Sequence, residues 1–380
     1  MRFLLLYIVG TFAAVLPLAL YVWTGMAMGK VQGGLMPYYA MALLQGVVSP
    51  RSINDIVCSA GVGDAAPARH FSWLTGLGQS GFAFGVLVGP LVSSHLTTPR
   101  AFIVSLAIFA LTIVIVLAAP DTLAKENRKP LNANVWRATL ALVRGFGVLL
   151  EDKRLIPLAV GSFFGSFTLF VNITVVPPFF LSVLGFSVAE YGYLLMVIGA
   201  NMLICKTILA HGSERLVGRK TAIVVSSMIG AVLFVCFGLV QMFTTSRRQL
   251  IAAVYLINGL QVAAMAPPLL ISASLHLAAD DEVELSSSSG QCPRPSKDAS
   301  SSRSILAGEH GRVQGAMQGV ISIAAMAGTL ASAAVFAETT KPAALGGWTS
   351  APGVPFLCAA ASMLLTGLPV LLFSRAEDLG

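Results

Sequence analysis

The sequence has 380 residues, of which 56% are hydrophobic and 11% are charged, and its net charge is +7. So few charged residues cannot cover a water-soluble globule, and the mean hydropathy reaches +0.81. The composition therefore predicts an all-α, multi-pass integral membrane protein of a plasma or organelle membrane. The basic residues lie in short loops between apolar runs, which indicates contact with the lipid bilayer and excludes nucleic acid as a partner.

Ten apolar stretches are long enough to cross the hydrocarbon core, since a helical crossing takes about 20 residues. They are residues 3–23, 35–59, 70–95, 101–119, 155–183, 189–211, 221–243, 249–277, 312–337 and 354–374. Four of them precede a long polar interruption and six follow it. We therefore expect an N-terminal four-helix block at 1–119, a central loop at 120–154, and a six-helix block at 155–380 whose serine-rich loop at 278–310 is disordered.

The central loop fixes the predicted orientation of every helix. It carries seven basic residues, Lys125, Arg128, Lys129, Arg137, Arg144, Lys153 and Arg154. Basic loops are retained on the cytoplasmic side, so the central loop and both ends of a ten-helix chain are predicted to be cytoplasmic. An amphipathic segment at 132–150 is a candidate interfacial helix within this loop. Five basic residues fall on the opposite side, and among them Arg247 and Arg248 fit this distribution least well, because they share one short loop.

A run of glycines marks the end of the third apolar stretch. Gly81, Gly85 and Gly89 recur at four-residue spacing and are followed by Pro90. This spacing puts the glycines on one helix face, where a neighbouring backbone can approach closely, and the proline bends the helix. Ordinary small-residue packing, without a functional role, is the alternative interpretation.

The run ARHFSWLTGLGQSGFAFGVLVGPLV at 68–92 resembles the fourth-to-fifth helix region of the major facilitator superfamily. It is most similar to the tetracycline:proton antiporters and the hippocampus-abundant-transcript-like transporters, whose glycine-proline signature lies on the fifth helix. The sequence PDTL at 120–123 is similar to the motif that ends the sixth helix of that family. The resemblance implies a major facilitator-type helical bundle and a transport function.

Two further motifs match the same family. The segment at 212–220 resembles the second copy of its cytoplasmic glycine-and-basic loop, and QGAMQG at 314–319 resembles the start of its eleventh helix. The candidate conformational residues of these motifs are Gly212, Arg215, Gly218, Arg219, Lys220, Gln314 and Gly315. Basic residues beside a glycine turn can pair with carboxylates or helix C-termini and latch one conformation. A plain cytoplasmic anchor is the alternative for Arg219 and Lys220.

The chain also departs from the family pattern. Counting back from the signature, Met1 falls at the third family helix, so we expect the first two helices to be missing. Where relatives carry an acidic residue near the end of the fourth helix, this chain has Ala60. The candidate proton-coupling group is instead Asp55, which lies one helical turn after Arg51 and whose protonation would free that arginine. Two interfacial residues at a helix end are the alternative.

Three amide side chains within the six-helix block are the candidate substrate-binding residues. Asn172 precedes Pro177 in one span, and Asn258 and Gln261 precede Pro267 in another. Prolines free backbone groups and permit the bending that alternating access requires. The alternative is that such amides join helices to one another.

These features predict a secondary active transporter of a small organic solute, a drug or a sugar, with proton coupling left open. No phosphate-binding Gly-x-x-x-x-Gly-Lys loop and no grouping of nucleophile and base occurs in the sequence, so we expect no enzyme activity and no cofactor. The five cysteines are scattered without metal-ligand spacing, so no metal is expected. The alternative function is a truncated, transport-incompetent relative that acts as a membrane scaffold or partner subunit.

Overall fold

The computed structural model describes 80, 81, 83–90, 96, 98–118, 147, 149, 155–262, 266, 267, 270, 271, 274, 310–340 and 351–373. These residues form helices and turns, with no β-strand among them. The chain divides into two compact units. One joins Met1–Ala65 to Gly89–Leu131, and the other joins Ala66–Val88 to Asn132–Gly380. The predicted block boundaries at 119 and 154 lie outside the described residues and stay predictions.

Most of the described helices agree with the predicted spans, although the short helix at 210–217 and the end of a helix at residue 260 were not predicted. The helices are α1 (Thr98–Ala118), α2 (Leu155–Pro178), α3 (Val188–Ile204), α4 (Ala210–Val217), α5 (Arg219–Phe243), α6 (Arg247–Leu260), α7 (His310–Thr339) and α8 (Val354–Phe373). Among the described residues, the helical segments long and apolar enough to cross a membrane are Leu155–Val183, Val188–Leu209, Arg219–Phe243, Ala316–Thr339 and Val354–Leu372. The prediction of an all-α, multi-pass membrane protein is confirmed.

Two membrane helices continue as π-helical turns. Helix α2 runs on through Phe179–Val183 and α3 through Cys205–Leu209. In α2 the change follows Pro177 and Pro178, which have no N–H to donate to the α-helical ladder. Such turns let a helix stay hydrogen-bonded where the regular ladder is interrupted.

Helices α2, α5, α7 and α8 pack backbone to backbone at glycines. A Cβ atom on Gly161 of α2 would lie 2.9 Å from the carbonyl oxygen of Thr366 in α8. Gly353, just before α8, lies directly against the carbonyl of Gly238 in α5, and a Cβ atom on Gly328 of α7 would lie 2.8 Å from the carbonyl oxygen of Phe167 in α2. In lipid, close approach at small residues is the main source of helix association. These four helices therefore pack with little spare space.

An aromatic cluster fills the space beside these contacts. Phe179, Phe180, Phe237 and Phe356 are all fully buried. The ring centroids of Phe179 and Phe356 are 4.9 Å apart and those of Phe180 and Phe237 are 6.0 Å apart, both in edge-to-face geometry. This arrangement is favoured by the ring quadrupoles and joins the π-helical end of α2 to α5 and α8.

The span predicted at 249–277 is not one continuous helix. Helix α6 ends at Leu260, and the next helical hydrogen bond among the described residues runs from the N–H of Leu270 to the carbonyl of Ala266, at 3.1 Å. Pro267 and Pro268 explain the interruption, because proline donates no hydrogen bond and disfavours helical geometry in the residue before it. The break places the amide of Gln261 at a helix end.

Candidate functional site

Helices α3 and α6 form a parallel pair joined by side chains near both ends. Toward the start of both helices, Arg247 contacts the carboxylate of Glu190 at 3.0 Å. Toward their ends, the side-chain amide of Asn201 donates a hydrogen bond to the backbone carbonyl of Asn258. The members of each pair are 57 positions apart in sequence, so the two helices keep the same register over about three turns.

Glu190 forms several contacts at the N-terminal ends of α3 and α6. Its carboxylate accepts a hydrogen bond from the N–H of Ser187 at 2.7 Å, and the Ser187 hydroxyl accepts one from the N–H of Glu190 at 3.2 Å. This reciprocal capping starts α3. Arg247 also donates to the carbonyl of Gly185 at 3.2 Å, and Tyr255 donates to the carbonyl of Glu190 at 3.0 Å. Arg247, an exception to the predicted charge distribution, thus has a defined local partner.

Asn258 and Gln261 lie at the C-terminal end of α6 and are almost completely buried, with 2% and 3% exposure. Val254, one turn before Asn258 on the same face of α6, is also fully buried. Neither the Nδ2 atom of Asn258 nor the Nε2 atom of Gln261 has a hydrogen-bond partner among the described residues. An unpaired buried amide costs about 1–3 kcal/mol, so these groups are available for a ligand that can pair with them.

Asn172, the third predicted substrate-binding residue, lies on α2. It is half-buried, and its Oδ1 atom is buried without a hydrogen-bond donor among the described residues. No described hydrogen bond joins it to Asn258 or Gln261. The structure thus brings two of the three predicted residues together and leaves the third on a different helix.

Asn201 was not among the candidate substrate-binding residues, although the sequence also offered amides of this block as links between helices. It is 7% exposed, and its side chain reaches from α3 to α6. The sequence signal was an amide in the middle of an apolar span. Its partner is a backbone carbonyl, which every residue carries, so the pairing could not be inferred from residue types.

The glycine-proline signature lies on a helix at 83–90, with Gly81 in the described helical segment before it. Gly81, Gly85 and Gly89 are exposed, and no described atom lies within 4 Å of a Cβ built on any of them; Pro90 is half-buried. The close approach occurs elsewhere, where the backbone of Leu87 lies directly against Gly199 of α3. The signature segment therefore contacts α3 at Gly199, two residues before Asn201.

The glycine-and-basic loop joins α4 to α5. Gly218 adopts a φ of +76°, which glycine accommodates without strain, and its N–H donates to the carbonyl of Glu214 at 3.1 Å. Across this turn Arg219, 5% exposed, forms an ion pair with Glu214. Lys220 is half-buried and Arg215 is exposed. Arg219 therefore has a carboxylate partner within the loop itself.

The remaining predicted residues are only partly covered by the structure. Gln314 and Gly315 lie in the first turns of α7, whereas Arg51 and Asp55 lie outside the described residues. Gly212 lies within α4. Among the described residues there is no group of three side chains that could hold a metal ion.

One protein family and several solved structures are similar to this chain. The family model described as Major Facilitator Superfamily matches residues 2–290. The crystal structure of the human organic anion transporter MFSD10 (TETRAN) is similar, with a TM-score of 0.64, 19% sequence identity, and coverage of 97% of this chain and 76% of that chain. The crystal structure of the E. coli fucose:proton symporter FucP gives a TM-score of 0.47 at 10% identity, with 97% and 84% coverage. No curated protein sequence matches the chain.

Proposed function

Because the chain belongs to the Major Facilitator Superfamily, we propose that it is a secondary active transporter that moves a small organic solute, a drug or a sugar, by alternating access. The observation that carries this proposal is the buried pair of amides on Asn258 and Gln261, whose nitrogen atoms have no hydrogen-bond partner among the described residues. In a membrane protein, no bulk water pairs with buried groups. Two neighbouring amides without partners therefore destabilise the protein when no ligand is bound, and they can hydrogen-bond a ligand that enters.

The proposed roles follow from position. Asn258 and Gln261 hydrogen-bond the solute at the break of α6, and Asn172 does so from α2. The contact of Leu87 with Gly199 supports a role for the signature segment in fixing α3, because a glycine there admits the neighbouring backbone. The ion pair of Arg219 with Glu214 supports a role for the loop in holding one conformation.

Proton coupling belongs to the same proposal. Asp55 and Arg51 are the proposed coupling pair, because protonation of the carboxyl group would release the arginine to pair elsewhere. Substitution of Asp55 by Asn would imitate the protonated state permanently. We expect that variant to lose the part of the flux that depends on a proton gradient.

The test is solute flux in proteoliposomes with and without a proton gradient. The panel contains mannitol, tetracycline, p-aminohippurate and tetraethylammonium, which separate neutral, amphipathic, anionic and cationic solutes. For the transported solute, Asn258→Leu should raise KM about tenfold, because it removes roughly one hydrogen bond to the solute. The same variant should melt at an equal or higher temperature, since an apolar side chain of similar size replaces an unpaired amide.

Ser227→Ala is the matched control. Ser227 is 1% exposed and its hydroxyl is also buried without a partner among the described residues, but it lies on α5 beside Gly367 of α8. This variant should share the effect on melting temperature and leave KM unchanged. An equal KM change in both variants would remove Asn258 from the site. Absence of flux for every solute, from protein that melts cooperatively, would favour the membrane scaffold or partner-subunit function.

A further inference from the structure

We infer that Asn201 is a positioning residue that caps the broken end of α6 from the neighbouring helix α3 and so fixes the amides of Asn258 and Gln261. The last carbonyl groups of any helix lack intrahelical partners. Most helices solve this with a glycine turn or with water. Here a side chain of a different helix supplies the hydrogen bond.

The hydrogen bonds at the break show how the cap operates. In an uninterrupted helix, the carbonyl of Asn258 would accept the N–H of the residue four positions later. Because α6 stops at Leu260, this carbonyl instead accepts the N–H of Gln261 at 3.2 Å and the side-chain amide of Asn201. Only the amide nitrogen of Asn201 can face a carbonyl oxygen, so its orientation is determined by chemistry.

Asn201 is itself held in place on both sides. Two residues before it, Gly199 lies against the backbone of Leu87. One turn after it, the N–H of Cys205 donates to the carbonyls of Asn201 and Met202, where the π-helical turn begins. A donor fixed in this way can hold a helix end that has lost its own ladder.

The position of the binding amides depends on this cap. Gln261 is the residue directly after the last turn of α6, and its N–H bonds to the carbonyls of Asn258 and Ile257. Without the donor from Asn201, the Asn258 carbonyl keeps only the weaker contact within its own chain, and the last turn frays. The side-chain amides of Asn258 and Gln261 then no longer have a fixed orientation. This effect on solute binding rests on the proposed function, whereas the cap does not.

Hydrogen exchange in nanodiscs tests the cap without reference to transport. Asn201→Leu keeps the side-chain volume and removes the hydrogen-bond donor. Exchange of the backbone amide hydrogens of residues 258–262 should therefore accelerate about fivefold, as expected for one lost hydrogen bond. Exchange at 247–254 should be unchanged. Thr207→Val is the control, because the Thr207 hydroxyl bonds within its own helix, to the carbonyl of Leu203 at 2.7 Å. Unchanged exchange at 258–262 in Asn201→Leu would overturn the inference.

Flux of mannitol and tetracycline gives the second measurement. Asn201→Leu should raise KM severalfold while kcat stays within about twofold. In a protein that already carries Asn258→Leu and Gln261→Leu, the same substitution should change KM less than about twofold, because its targets are gone. An undiminished effect in that background would show that Asn201 contacts the solute directly and would overturn the positioning role. If neither probe is transported, the other two solutes of the panel are used; if all four fail, the proposed function fails and the exchange result alone decides the cap.

Discussion

Helices α5 and α8 and helices α3 and α6 are neighbours held together in different ways. The first pair meets at Gly238 and Gly353, where backbone touches backbone. The second pair is joined by polar side chains, at Arg247 with Glu190 and at Asn201 with Asn258. Backbone contact permits one arrangement, since any displacement leaves a void or a clash. Polar contacts can be exchanged for hydrogen bonds to a ligand, which is why we propose that the solute binds at α3 and α6.

The buried polar groups show the same difference. On α2 and α8, buried hydroxyl groups bond to carbonyls across the interface, as the Ser362 hydroxyl does to Phe164 at 3.0 Å and the Thr168 hydroxyl to Ala359 at 3.3 Å. On α6, the amide nitrogens of Asn258 and Gln261 have no hydrogen-bond partner among the described residues. Ser362 and Thr168 thus join α2 to α8, whereas Asn258 and Gln261 leave hydrogen-bonding capacity unused among the described residues. Asn172 on α2 and Ser227 on α5 are exceptions, because each also has a buried polar atom without a described partner.

The largest expected effect is at the backbone contact. Gly353→Ala places a methyl group against the carbonyl of Gly238, so the helices must separate, and the free energy of unfolding should fall by about 1–3 kcal/mol. Thermal unfolding in detergent measures this. Gly259→Ala is the control, because no described atom lies within 4 Å of that position on α6. Equal melting temperatures for the two variants would show that the α5–α8 contact is not tight.

A smaller effect is expected at Gly199. This residue contacts the backbone of Leu87 and lies two positions before Asn201, which forms the polar contact with α6. Gly199→Ala should push the backbone of Leu87 away and lower the rate of solute flux more than it lowers the melting temperature, since α3 also carries Asn201. Flux in proteoliposomes and thermal unfolding are compared for this variant and for Gly85→Ala. Gly85 is exposed, with no described atom within 4 Å of its added methyl group. If Gly85→Ala is the more harmful change, the signature acts through its own glycines.

The smallest effect is expected at the ion pair of Arg247 with Glu190. Arg247 is 58% exposed, so its interaction with Glu190 is weakened by solvent and salt. Arg247→Ala should lower the melting temperature slightly at low ionic strength and not at 1 M salt, measured beside Arg248→Ala. A large loss that persists at high salt would mean that this contact holds the α3–α6 register by itself.

Much of the fold was predictable because a bilayer restricts the choices. A span must be apolar, about 20 residues long and helical, so composition and length located α2, α3, α5, α7 and α8 within a few residues. The break in α6 was less visible. Pro267 indicated that bending was possible, but the hydrophobic run continues past it, so the sequence favoured one helix.

The sequence by itself determined the class of protein, the family and most of the described helices, because each depends on residue types and their order along the chain. Tertiary structure decided which groups meet. The partners of Asn201, Gly199 and Gly353 are backbone atoms, which carry no residue identity and leave no mark in a single sequence. The sequence named Asn258 and Gln261 as candidates, but whether their amides are paired depends on every neighbour in three dimensions, and the packing around the end of α6 decided it.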